Sequence, residues 1–132
     1  MCEIKFRGKR INRINNGEWV YGSLLFVPYT GMTYIFPDAA RIVKLSEIIP
    51  VDPKTVGQYT GLKDDTGREA YTKDIYEDLD GKRFMVDFSD GMFTANYPHE
   101  DRLIPLIDCL NGSKFVGIYH ENPELLKGEE SE

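Results

Sequence analysis

The strongest constraint on this chain is how regularly turn residues cut its short apolar runs. Ile4-Lys5-Phe6-Arg7 alternates apolar and charged side chains, the two-residue period of a half-buried strand. Asn15-Asn16-Gly17 follows, and Asn-Gly supplies the positive φ angles of a tight hairpin. Glu18 to Val27 is then rich in the aromatic and β-branched residues that suit a pleated surface. Pro28-Tyr29-Thr30-Gly31 turns the chain into Met32-Thr33-Tyr34-Ile35-Phe36, and the three runs predict an antiparallel meander. Similar punctuation returns further on. Asp64-Asp65-Thr66-Gly67 and Asp80-Gly81 are turn sequences, and Ser89-Asp90-Gly91 joins two apolar runs, 83–88 and 92–97, as a second hairpin. Phe115 to Tyr119 is a last strand.

Helix has little room. Residues 38–49 suit either a short helix capped by Asp38 or a strand. Ile48-Ile49-Pro50-Val51-Asp52-Pro53 excludes regular helix, because each proline lacks a donor and restricts its predecessor. Leu103, Leu106, Ile107 and Leu110 recur at helical spacing, but Pro105 limits them to a turn or two. Asn122-Pro123-Glu124-Leu125-Leu126 reads as a capped helical turn, with a frayed polar tail over 127–132. The expectation is one mainly β domain over 1–132: an antiparallel meander at the N-terminus, a small barrel-like lobe in the second half, and one or two short helical turns. Sub-lobes at 1–50 and 51–126 follow from a shift in charge.

That shift is marked. The net charge is −6, yet residues 1–50 hold seven Lys and Arg against four acids, and residues 51–132 hold nine against eighteen. The overall sign disfavours long-range attraction to nucleic acid. The basic strand, with Arg7, Lys9 and Arg10 as its candidate binding residues, is the one place for a phosphate contact; its blander reading is a charged strand that discourages sheet-to-sheet pairing. Eight Tyr and seven Phe could form a stacking platform for single strands, but a β core with aromatic cross-strand pairs accounts for them equally well. No run approaches the roughly 18 apolar residues of a membrane span. Met1 to Phe6 lacks the apolar stretch of an export signal, so the cytoplasm is expected, with Cys2 and Cys109 reduced.

The search for chemistry yields no catalytic set. Asp65-Thr66-Gly67 is the triplet of aspartic proteases, but it sits between Lys63-Asp64 and Arg68-Glu69, as a solvated turn would. The run Asp74, Glu77, Asp78, Asp80 misaligns with a calcium loop, since Tyr76 falls on the first ligand position. His99 and His120 each neighbour a carboxylate, but adjacent residues in a strand point apart. Cys2 and Cys109 form no metal spacing. Cys109 lies in an apolar context that suits packing. No catalytic residue, metal or cofactor is expected.

One segment is more specific. Residues 55–75, from Thr55-Val56-Gly57-Gln58-Tyr59-Thr60-Gly61-Leu62-Lys63-Asp64 through a Gly67 turn to Tyr71 and Asp74-Ile75, resemble the signature of the YopX family of phage and prophage proteins. Ile4 to Lys9 is similar to that family's opening strand, and Glu121-Asn122-Pro123-Glu124-Leu125 to its closing motif. Ala70 stands where an aliphatic residue such as Ile is usual, and Lys73 where the family generally has Gly, which makes a positive φ there costlier. The resemblance implies a largely β, phage-encoded protein and carries no catalytic residue across. Within the signature, Gln58, Tyr59, Thr60 and Asp64 either tie a loop to neighbouring strands or present it to a partner. The function expected is that of a non-enzymatic accessory protein that binds or self-assembles, with itself or a host or phage protein as partner. The rivals are a nucleic-acid-binding module built on the basic strand, and a small hydrolase using His99 or His120.

Overall fold

The computed structural model describes residues 4–11, 17–37, 48–98, 100 and 104–127. Cys2, Asn15-Asn16, the 38–47 stretch, His99, Leu103 and the tail from 128 lie outside the described residues. The described chain is mainly β, with antiparallel strands and two short helices. It divides into two compact units, Met1–Tyr59 and Thr60–Glu132, so the boundary falls nine residues beyond the shift in charge.

In the first unit β1 (Phe6–Arg10), β2 (Trp19–Val27) and β3 (Met32–Pro37) form the expected meander. β4 (Ile49–Lys63) then pairs on one side with β3, Val51 opposite Thr33, and on the other with β1, Gly57 opposite Arg7. Each of the four strands therefore has two neighbours, and the ring closes. The barrel-like element expected in the second half lies in the first. Its cause is a slip in the β1–β4 register between Arg7 and Lys9, which lets β4 serve both neighbours. Thr55 fastens the slip: its hydroxyl accepts the Lys9 amide at 2.8 Å and donates to the Asp52 carbonyl at 2.6 Å. Pro50 and Pro53, which exclude helix, are tolerated beside this irregularity. Ile35 and Val51 fill the interior, and Gly8 presses on them. A Cβ at Gly8 would lie 3.0 Å from Val51 Cβ and 3.3 Å from Ile35 Cδ1.

In the second unit the end of β4 turns through 64–67 onto β5 (Glu69–Tyr71). β6 (Asp74–Glu77), β7 (Arg83–Ser89), β8 (Met92–Asn96) and β9 (Lys114–Ile118) form a sheet in the order β8-β7-β6-β9. Asp90 and Gly91 both have positive φ, 53° and 83°, as the tight hairpin between β7 and β8 requires. The core is aromatic: Tyr76 lies 6.0 Å from Phe84 and 5.8 Å from Phe115, and Phe84 lies 5.2 Å from Tyr97, ring centre to ring centre. α1 (Leu106–Cys109) buries Leu106 in this core. At α2 (Glu124–Lys127) Asn122 turns its side-chain oxygen back to the Ile118 amide, 3.5 Å away, and the Leu125 amide donates to the Asn122 carbonyl instead.

Lys73 adopts φ 77°. The turn keeps the shape that glycine would favour although lysine occupies it, because its amide donates to the Val86 carbonyl at 2.7 Å and its carbonyl accepts the Tyr119 amide at 2.8 Å. The open edges that motivate self-assembly in the sequence are mostly managed. The β8 edge carries a bridge from Thr94 to Pro105, and the β9 edge has a register slip and an Ile118 carbonyl taken by Glu121 and Asn122 amides. Among the described residues no helix is long and apolar enough to cross a membrane.

Candidate functional site

The signature segment begins as a strand. Gly57, Gln58 and Tyr59 pair with β1 instead of forming a loop, because the β1–β4 ladder takes up their backbone groups. Gln58 is half-buried opposite Phe6, while Tyr59 and Thr60 are buried. The Lys5 ammonium lies 5.7 Å from the centre of the Tyr59 ring. The Thr60 hydroxyl accepts the Leu62 amide at 3.2 Å.

Asp64 is the hub of the turn that follows. One carboxylate oxygen accepts the Thr66 amide at 2.9 Å, the Thr66 hydroxyl at 2.6 Å and the Arg68 amide at 3.0 Å; the other accepts the Tyr76 hydroxyl at 3.0 Å. Burial acts to raise the Asp64 pKa, but these donors outweigh it and hold the carboxyl below its ordinary value. Burial first, then the charges of Asp74 and Asp64, push the Tyr76 phenol up, so it stays a donor. Asp74 is fully buried, accepts the Tyr71 amide at 2.8 Å, and lies 3.7 Å from the Arg68 guanidinium, which stacks 3.6 Å from the centre of the Phe115 ring. These polar groups hold turns to strands within the second unit.

The basic strand divides by residue. Arg7 is 1% exposed and stacks against Trp19, 5.2 Å from the ring centre. Lys9 is half-buried, its ammonium 5.9 Å from the same ring. Arg10 pairs with Glu18 at 3.1 Å. The hairpin register, Lys9 opposite Trp19 and Arg7 opposite Tyr21, sets aromatic rings beside cations.

The carboxylates noted for calcium do not converge. Glu77 pairs with Arg83 at 3.2 Å, and Asp78 accepts the Asp80 and Lys82 amides of its own turn, both at 2.9 Å. Asp78 also accepts the Tyr97 hydroxyl at 2.8 Å, within a cleft of about 350 Å3 lined by Asp80, Glu100, Asp108 and half-buried Cys109. Burial and that hydrogen bond push the Tyr97 phenol up. Among the described residues no group of three or more His, Cys, Asp or Glu is placed to hold a metal ion. His120 is exposed in the turn after β9. Asp65, the aspartate of the protease-like triplet, is exposed and accepts the Gly112 amide at 2.9 Å.

The most exposed aromatic group stands at the β2–β3 turn, where sequence reasoning saw only a connection. Tyr29 is 97% exposed and Phe26 55%. The turn is firmly built: the Thr30 and Gly31 amides donate to the Val27 carbonyl at 3.2 and 2.8 Å, and the Thr30 hydroxyl accepts the Met32 amide at 3.2 Å. The available signal was a tyrosine placed directly after the turn's proline, flanked by apolar strand ends.

A family model described as YopX protein matches residues 5–127. No curated protein matches the chain.

Proposed function

The chain belongs to the YopX family, and we propose that it is a non-enzymatic binding protein that engages a partner protein through the tip of its β2–β3 hairpin. The observation that carries this reading is the exposure of Tyr29 and Phe26 on a turn held by its own hydrogen bonds. Large apolar side chains clustered on an ordered projection cost solubility and suit an anchor that enters a partner's pocket. The partner's chemistry follows: a concave, apolar site on a host or phage protein, met in the host cytoplasm as a phage origin implies. The basic strand supports nucleic-acid binding less well, because Arg7 is buried and Arg10 is paired with Glu18. The hydrolase reading finds no support in His120, which stands exposed without a hydrogen bond to any described serine, threonine or cysteine.

The test is recovery of a partner from host cells, infected and uninfected, by tagged wild type and by the double variant Phe26→Ser, Tyr29→Ser. A protein recovered at stoichiometric level by the wild type and lost by the folded variant supports the reading. Equal recovery by both, or recovery of salt-released nucleic acid alone, overturns it.

A further inference from the structure

The strand ladder that carries the hairpin tip also builds a second surface. Side chains alternate along a strand, and residues opposite each other share a face. Leu24 faces the barrel interior with its partner Ile35, so Leu25 and Val27, with their partners Tyr34 and Met32, face outward. Ser23 and its partner Phe36, together with Tyr21, continue this outer face. No member of it is charged. Tyr21 is 39% and Met32 38% exposed, and Leu25, Val27, Tyr34 and Phe36 are half-buried. An aromatic- and Met-bearing surface with no charged residue has the composition of an interface core.

We propose that a second copy of this chain docks on this face, forming a two-fold symmetric dimer in which the outer faces of two β2–β3 hairpins pack together. The choice of partner rests on charge. The chain carries −6, so its copies repel, and they associate best through surface that adds no like charge. Residues 1–50 carry a surplus of three positive charges and residues 51–132 a surplus of nine negative ones, so contact through the first unit is the milder of the two like-charge encounters. Two-fold pairing lays the same patch on itself, which an uncharged face permits without a complementary partner. The inference deepens the binding reading above and rests on it, while using different residues from the hairpin tip.

Sedimentation velocity of the full chain at tens of micromolar tests it. The wild type is expected to sediment as a dimer, and Tyr21→Lys and Met32→Lys, which place matching charges on both copies, weaken dimerisation at least about tenfold. A wild type that sediments as a monomer overturns the proposal, as do lysine variants that dimerise like the wild type. Hydrogen exchange keeps the test valid should a lysine variant misfold: concentrating the wild type must slow exchange in β2 and β3, and slowing confined to other strands overturns the inference. A monomer whose hairpin tip still captures a partner refutes the dimer alone. A dimer whose tip captures none refutes only the tip reading.

Discussion

The two units solve the problem of a small β core in opposite ways. The first closes four strands on a narrow aliphatic interior of Ile35 and Val51, leaving no room for a side chain at Gly8. Its larger apolar groups, Phe26 and Tyr29 among them, face outward. The second keeps an open sheet and turns its aromatic residues inward, where Tyr76, Phe84, Phe115 and Tyr97 stack around a polar network centred on Asp64. The comparison separates structural from recognition duties. The most family-like residues of the second unit are consumed by its own turns, while the first unit shows side chains that its fold does not use.

The largest effect expected is at the polar hub. Asp64→Asn points an amide group at donors and leaves some of them unmet, which should cost roughly 2–4 kcal/mol in urea unfolding at neutral pH. The pH dependence has a definite sign. Because the folded chain lowers the Asp64 pKa, its stabilisation is complete above the ordinary value of 3.8 and fades as pH falls through the folded value. Wild-type stability should therefore drop in that acid window more steeply than that of Asp64→Asn, and the two curves should converge. Parallel curves would mean that Asp64 does not carry the charge-dependent part.

Gly8→Ala probes the first unit. A Cβ only 3.0 Å from Val51 Cβ overpacks a closed ring and should cost about 1–3 kcal/mol. A neutral result would show that the ring relaxes easily, blurring the contrast between the units. Lys73→Gly runs the other way. Relieving φ 77° should stabilise the second unit by about 0.5–1 kcal/mol, net of glycine's added chain entropy. Smallest of all is Tyr29→Ser, expected to leave stability within about 0.5 kcal/mol, because its side chain is almost wholly in solvent.

Strand character was plain in the sequence wherever turn residues bounded an apolar run, as at β2, β3, β7, β8 and β9. β4 was hidden because Pro50 and Pro53 argue against a ladder, and only the slip opposite Arg7 and Lys9 makes room for them. β5 and β6 were hidden by brevity, three and four residues beside the strained turn at Lys73. Barrel closure depends on a pairing between residues about fifty apart, Arg7 with Gly57, which local pattern does not encode. The candidate residues fared similarly. Composition marked Arg7 as a free cation, yet its burial against Trp19 follows from register. Exposure of Tyr29 follows from the four-residue turn projecting it away from both strands, and a sequence shows a turn without showing what it presents.

The most direct test of this division of labour is partner capture and thermal unfolding measured side by side on two variants. Phe26→Ser, Tyr29→Ser should lose the partner and melt like the wild type. Asp64→Asn should melt at a lower temperature and, assayed below that melt, still capture the partner. The reverse pattern, capture lost at a folded Asp64→Asn and kept at the hairpin variant, would place recognition in the signature segment and contradict the account.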